Sequence, residues 1–146
     1  MIQLVAVNKD NWQACINLPT SADHAQFVAP NVYSIAEAQF YPGIVKACCI
    51  YADDVMVGFV MYGPSDDDPS LFWVDRLMIA EGHRGKGYAK AALSLVLDEA
   101  RERGFVQIGL STNPENAKAI NLYESLGFKA TGEMEGDEAI YHCDLG

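Results

Sequence analysis

The chain has 146 residues, half of them apolar, and a formal net charge of −10. That length suits one domain over residues 1–146, large enough to bury roughly two-thirds of its unfolded surface without a stapling disulfide or metal. The acidic balance disfavours nucleic acid, which needs a basic face. No apolar run approaches the ~20 residues of a membrane span, and the opening MIQLVAVNKD lacks the basic region and cleavage site of a secretory leader.

Residues 2–7 alternate as a first strand. Asp10 is placed to cap a short helix carrying Trp12, Ile16 and Leu18, which Pro19 ends. Ser34-x-x-Glu37 has the form of a capping box opening a helix over 34–41. Residues 47–52 and 55–62 make a hairpin over Asp53-Asp54, a turn-forming pair. The loop 63–70 carries Asp66-Asp67-Asp68 and two prolines. These carboxylates are either a solvated turn or an attractor for a polycation, and nothing beside them completes a divalent-ion loop. Cys15, Cys48, Cys49 and Cys143 show no CxxC or Cys/His metal spacing, so they read as reduced core thiols of a cytoplasmic protein.

Residues 71–79 are apolar on both faces, as a strand covered on both sides should be, and Asp75 and Arg76 interrupt them. After a turn at 80–83 comes Arg84-Gly85-Lys86-Gly87-Tyr88-Ala89. Then Ala89, Ala92, Leu93, Val96, Leu97 and Ala100 recur at i, i+3, i+4 spacing, the apolar stripe of a long helix. Arg101 and Arg103 fall in its last turn and Gly104 is placed to end it. Two glycines two residues apart allow a tight turn, and the free N–H groups at the helix start then make an anion site. The loop is neither a P-loop nor the dinucleotide fingerprint. Charge is distributed to match. Residues 1–75 hold two basic and nine acidic groups, 76–129 hold eight and six, and 130–146 hold none and five. The segment with the loop is the net-positive one, while its flanks favour a cationic partner.

Residues 106–112 read as another strand, with Gly109 inside it marking close backbone approach or local distortion. Asn113 caps a helix with Pro114 at its first position and Gly127 past its end. Asn116 lies in the first turn and Tyr123 two turns later, on roughly the same face. Residues 128–134 and 139–145 close the chain as a hairpin around 135–138.

Two of these segments resemble one family. Arg84-Gly85-Lys86-Gly87-Tyr88-Ala89 is similar to the (Gln/Arg)-x-x-Gly-x-(Gly/Ala) signature of the GNAT superfamily of acetyl-CoA-dependent N-acetyltransferases. Asn113-Pro114-Glu115-Asn116 with Tyr123-Glu124-Ser125-Leu126-Gly127-Phe128 is similar to its N-x-x-A…LY-x-x-x-GF segment. Together they span 71–128 in the order that family requires. Within it, residues 27–34, VGFVMYG and VDRLMI most resemble bacterial spermine/spermidine (diamine) acetyltransferases. The resemblance implies an α+β GNAT acyl-CoA N-acyltransferase fold, a mixed and mainly antiparallel sheet with helices on both faces. It implies acetyl-CoA as cosubstrate, no metal, and a small cationic amine as acceptor; dimers are frequent in the family, so a homodimer is a candidate assembly. Leu77, Met78 and Ile79 would then pair with the pantetheine amides through their backbone. Arg84, Gly85, Lys86, Gly87, Tyr88 and Ala89 would hold the phosphates, and Asn116 the pantetheine arm.

Energetics define what such an enzyme must supply. A primary ammonium has a pKa near ~10.4, so only about one molecule in 10³ is nucleophilic at pH 7, a deficit of roughly 4–5 kcal/mol. A proton must be removed, a developing oxyanion met, and the departing thiolate protonated. Asp75 occupies the position of the base proposed for related polyamine enzymes; its other reading is a structural ion pair, though not with Arg76, since adjacent strand residues face opposite ways. Tyr123 matches the family's thiolate-protonating tyrosine, or else packs on the helix stripe. A bulge in the 71–79 strand would splay it from 106–112, and the N–H near Met78 would face the oxyanion. Phe27, Tyr33 and Glu37 either line the amine slot with Asp75 or pack and cap their helix, and His83 is a loop residue. Direct transfer in a ternary complex is expected, because no cysteine lies in the motif segments. The alternatives are another acceptor (an amino acid, an aminoglycoside or a protein N-terminus) and an acyl-CoA-binding module without turnover.

Overall fold

A computed structural model describes residues 1–20 and 30–146. In chain order these form β1 (Ile2–Ala6), α1 (Trp12–Ile16), α2 (Asn31–Ala38), β2 (Lys46–Ala52), β3 (Val55–Pro64) and β4 (Phe72–Ile79). They continue with α3 (Tyr88–Glu102), β5 (Gln107–Thr112), α4 (Ala117–Ser125), β6 (Lys129–Glu135) and β7 (Glu138–Asp144). The strands make one seven-stranded sheet in the order β1-β2-β3-β4-β5-β7-β6. Every neighbouring pair is antiparallel except β4 and β5, which run parallel. Their connection is a strand–loop–helix crossover through α3, the length a parallel pair demands.

Each face of the sheet is covered by helices because each helix has one apolar stripe to bury. Ala92, Leu93, Val96, Leu97 and Ala100 of α3 are all buried against Val60, Phe72, Val74 and Ile108, which stabilises by about 1.5–3 kcal/mol for each large side chain. Ile120 and Tyr123 of α4 pack on the same cluster. On the opposite face, Cys15 of α1 and Ala38 of α2 close over Cys49, Phe59, Met61 and Met78. All four cysteines are buried and free. The α3 helix ends as its glycine requires: Gly104 adopts φ +87, and Phe105 N–H reaches back to the Ala100 carbonyl at 3.0 Å.

Three expected helix starts are corrected. Asp10 does not cap α1; the Asn8 side chain accepts from the N–H groups of Asp10 (2.8 Å) and Asn11 (3.1 Å), and Asn11 is the cap residue. Ser34 and Glu37 form no capping box. Pro30 precedes α2, which begins at Asn31, so Ser34 lies a full turn inside and is buried. Asn113 sits one turn too early: its side chain accepts from Glu115 N–H at 2.9 Å in a local turn. Asn116 is the true N-cap of α4, accepting from Ala119 N–H at 3.3 Å. Near Asp10 and at Asn113 a tight turn before the helix takes the local hydrogen bonds, while at Ser34 the helix has already begun, so in each case the first helical turn starts elsewhere.

Candidate active site

The parallel pair at the centre is barely a pair. Phe72 stands opposite Ile108 and Trp73 opposite Gly109, and from Val74 onward β4 has partners on its β3 side alone. Leu77, Met78 and Ile79 are paired there with Val60, Phe59 and Gly58, so their edge toward β5 is open. The result is a V-shaped gap whose closed end is Trp73–Gly109 and whose walls are the ends of β4 and β5.

A β-bulge lies at the start of the open wall. Met61 pairs with Arg76 while the next β3 residue, Tyr62, pairs with Val74. Asp75 is therefore the extra residue. The bulge also overturns the expectation that Asp75 and Arg76 face apart. Phe72 and Val74 pack with the α3-side core and Met78 with the α2-side core. Arg76, two residues before Met78, shares that second face, and Asp75 lines a cavity against α2. One extra residue puts both side chains on one side of the sheet.

Asp75 is half-buried there. Burial raises its pKa from an ordinary 3.8 to about 6, Arg76 opposing the rise and Glu37 and Glu135 adding to it. Its cavity has a volume of about 130 Å³ and includes Glu37, Tyr41, Met61 and Asp66 in its walls. Three carboxylates thus converge on one small space. Arg76 reaches the same place: Nη1 donates to the Asp75 carbonyl at 2.6 Å, and Nη2 lies 3.9 Å from Glu37 Oε1. The acidic run 66–68 divides by role, because Asp66 faces the cavity while Asp68 accepts from the Ser70 hydroxyl at 2.6 Å. Tyr33 is 58 % exposed and does not line the cavity. Phe27 lies outside the described residues.

The far end of the gap opens on the glycine loop. Gly85 and Gly87 have φ +76 and +81, with open space where a β-carbon would project. Only glycine holds such angles freely, and the turn they make aims the first N–H groups of α3 outward. Lys86 is exposed beside them. Arg84 turns inward instead, its Nε donating to the Ile79 carbonyl at 3.0 Å; it braces the loop to the end of β4. His83 is a loop residue, its N–H bonded to the Ala80 carbonyl.

Tyr123 approaches from the other side. It packs against Phe128 with ring centroids 5.9 Å apart, on the α3 face of the sheet, opposite Asp75. Burial, with the Glu138 carboxylate, holds its pKa up at about 12, so the phenol keeps its proton. Glu138 is itself anchored by the Ser111 hydroxyl at 2.9 Å, across β5 and β7. Reading the sequence missed Arg76, Tyr41, Glu135 and Glu138 as site neighbours, whereas Asp66 lies in the acidic run read as a solvated turn or an attractor for a polycation. The alternation break at Asp75-Arg76 is the one signal that pointed toward them. Among the described residues no group of His, Cys, Asp and Glu is arranged to hold a metal, and no helix is long and apolar enough to cross a membrane.

Residues 12–128 match the acetyltransferase (GNAT) family. The chain belongs to that family. As a GNAT protein it is an N-acetyltransferase, and the sheet with its central V is the GNAT fold. It is 29 % identical over 143 residues to the spermine/spermidine N(1)-acetyltransferase of Bacillus subtilis (strain 168), covering 92 % of this chain and 91 % of that protein. Among solved structures, the spermidine N-acetyltransferase of Vibrio cholerae, in complex with CoA and spermine, superposes with a TM-score of 0.79. It shares 19 % identity, over 99 % of this chain and 95 % of that one. The PaiA N-acetyltransferase of Thermoplasma acidophilum, in complex with coenzyme A, gives a TM-score of 0.74 at 14 % identity, over 99 % of both chains.

Proposed function

We propose that this GNAT domain, spanning 1–146, transfers the acetyl group of acetyl-CoA to a primary amine of a small polyamine of the spermidine/spermine kind, directly within a ternary complex. The observation that carries the reading is Asp75: a carboxylate with its pKa lifted to about 6, at a bulge on the open wall of the V, beside a cavity walled by Glu37 and Asp66. Such a carboxylate is ionised at pH 7 yet more basic than an ordinary one, so it suits proton removal, directly or through water. The neighbouring carboxylates attract further ammonium groups.

The rest of the chain fits a CoA thioester. The unpaired edge of Leu77, Met78 and Ile79 offers main-chain groups to the pantetheine amides, and the N–H of Met78 is a candidate partner for the developing oxyanion. The loop from Arg84 to Ala89 offers N–H groups and Lys86 to the phosphates, with Arg84 bracing it. Asn116, although it caps α4 through its oxygen, retains its amide N–H₂ for the pantetheine arm. Bound there, acetyl-CoA supplies an activated acyl group. Tyr123, kept protonated on the α3 face of the sheet, is the candidate donor of a proton to the leaving sulfur. Buried free cysteines suit a reducing cytoplasm.

The test is CoA release from acetyl-CoA with spermidine, spermine, putrescine, lysine and an aminoglycoside, run beside Asp75→Asn and Tyr123→Phe. Saturable polyamine turnover that collapses in both variants supports acceptor class and residue roles together. Turnover confined to lysine or the aminoglycoside overturns the polyamine reading. Arg76 gives a second reading its footing: a cation beside Asp75 matches an acceptor carrying a carboxylate next to its amine.

A further inference from the structure

Two wall residues of the acid-walled cavity, Glu37 and Asp75, are contacted by a positive charge that nothing in an amine-binding site calls for. The bulge that exposes Asp75 also turns Arg76 onto the same face, and its guanidinium ends beside Glu37 on α2. The contact is poorly made. Nη2 is 3.9 Å from Glu37 Oε1, Nη1 is held by the Asp75 carbonyl, and Nε is buried with no acceptor among the described residues. A guanidinium presents five N–H groups and is well held only when they are matched in a fork. Here one is stranded. The side chain is 30 % exposed and Glu37 36 %, so the route to water is short.

We infer that Arg76 is a built-in stand-in for a substrate ammonium at Glu37, displaced when an acceptor with a second cationic group binds, and so a specificity-determining residue that holds down the site's preference for diamines over monoamines. The inference rests on the amine-acetylating reading of this site. Charge conservation is the physical reason. With no ligand, Glu37, Asp66 and Asp75 crowd one cavity, and Arg76 offsets their mutual repulsion. When an ammonium enters at Glu37, one cation replaces another and the pocket never holds its full negative charge uncompensated. The released guanidinium recovers water at its stranded Nε. A monoamine placed at Asp75 reaches no second carboxylate, so it neither displaces Arg76 nor gains from its departure.

The experiment compares putrescine with butylamine, equal in carbon number and differing in one ammonium, using wild type, Arg76→Met and Arg76→Met/Glu37→Gln. Removing the competing cation should lower KM for putrescine about tenfold in Arg76→Met and leave KM for butylamine in place. The double variant should lose the gain. Arg76→Lys, which keeps the charge but not the fork, should fall between wild type and Arg76→Met. Retained acetyl-CoA affinity shows that each variant is folded. Equal KM changes for both amines, or a raised KM for putrescine, would overturn the inference. So would turnover of a carboxylate-bearing acceptor that disappears in Arg76→Met with no gain for putrescine, which makes Arg76 an anion anchor. If wild type acetylates neither amine, the polyamine reading fails by itself. Calorimetric binding of putrescine then decides the present point, tighter in Arg76→Met supporting it and unchanged or absent in both overturning it.

Discussion

The indole of Trp73 lies directly over the α-carbon of Gly109, at the last rung joining β4 to β5. A β-carbon at Gly109 would stand 2.7 Å from the ring and 2.8 Å from Cδ2 of His142. A glycine within a strand suggests close backbone approach or local distortion; here the groups that approach are two side chains, Trp73 and His142, at the rung where the V closes. Gly109→Ala must push Trp73 or the strands apart, a strain of about 1–3 kcal/mol. Thermal unfolding should show that loss, and acetyl-CoA affinity should fall with it because the gap widens at its root.

Asp75→Asn should separate activity from stability. The folded protein binds the Asp75 proton more tightly than the unfolded chain, with a pKa of about 6 against 3.8. Stability therefore falls as pH rises between those values, and the penalty is fully present above pH 6. Asparagine removes it, so the variant should be more stable than wild type by about 1–3 kcal/mol at pH 7 and level with it below pH 4. A structural ion pair would give the reverse, a destabilised variant. For wild type, kcat/KM should climb with pH through about 6 as the carboxylate ionises.

Tyr123→Phe should lower kcat by about 10²-fold while acetyl-CoA affinity holds, as expected for a lost general acid. Because its pKa stands near 12, the phenol should impose no alkaline limb on the rate below about pH 10. A decline near neutral pH that vanishes in Tyr123→Phe would assign it another role.

Glu99 binds distant parts of the fold together. Tyr62 donates to it at 2.8 Å, with Lys46 at 3.1 Å and Arg103 at 3.4 Å. Burial pushes its pKa up, but those partners outweigh burial and hold it below the usual value. A depressed carboxylate contributes stability at neutral pH that is lost as pH falls through its lowered folded pKa, on the acid side of the ordinary glutamate range. Tyr62→Phe should cost about 1–2 kcal/mol at pH 7, and Glu99→Gln should flatten the acid side of the stability profile.

Much of this was legible in advance, wherever a local pattern decides the outcome. The α3 stripe, its glycine stop and the glycine loop depend on spacing along one segment, and all three stand where their residues place them. Asp75 was found as the carboxylate in an apolar strand. What escaped depends on partners. Ser34 resembles a cap until Pro30 is seen to start the helix earlier, and Asn113 and Asn116 compete for one end of α4. The bulge at Asp75 is a mismatch of register between β3 and β4, invisible in either strand alone, and alternation along β4 therefore misplaced Arg76. Asp66 comes to the cavity from the loop just before β4, and Glu135 acts on Asp75 from β6, far away in sequence.

The buried thiols bear on how this enzyme can be followed in the laboratory. Cys15 and Cys49 are wholly shielded, and Cys48 and Cys143 are 5 % exposed. A chromogenic disulfide added to the folded protein should therefore meet free coenzyme thiol and little else, leaving a flat baseline for a continuous assay. Unfolding releases four further equivalents per chain, so the same reagent, with substrate withheld, counts how often the sheet opens.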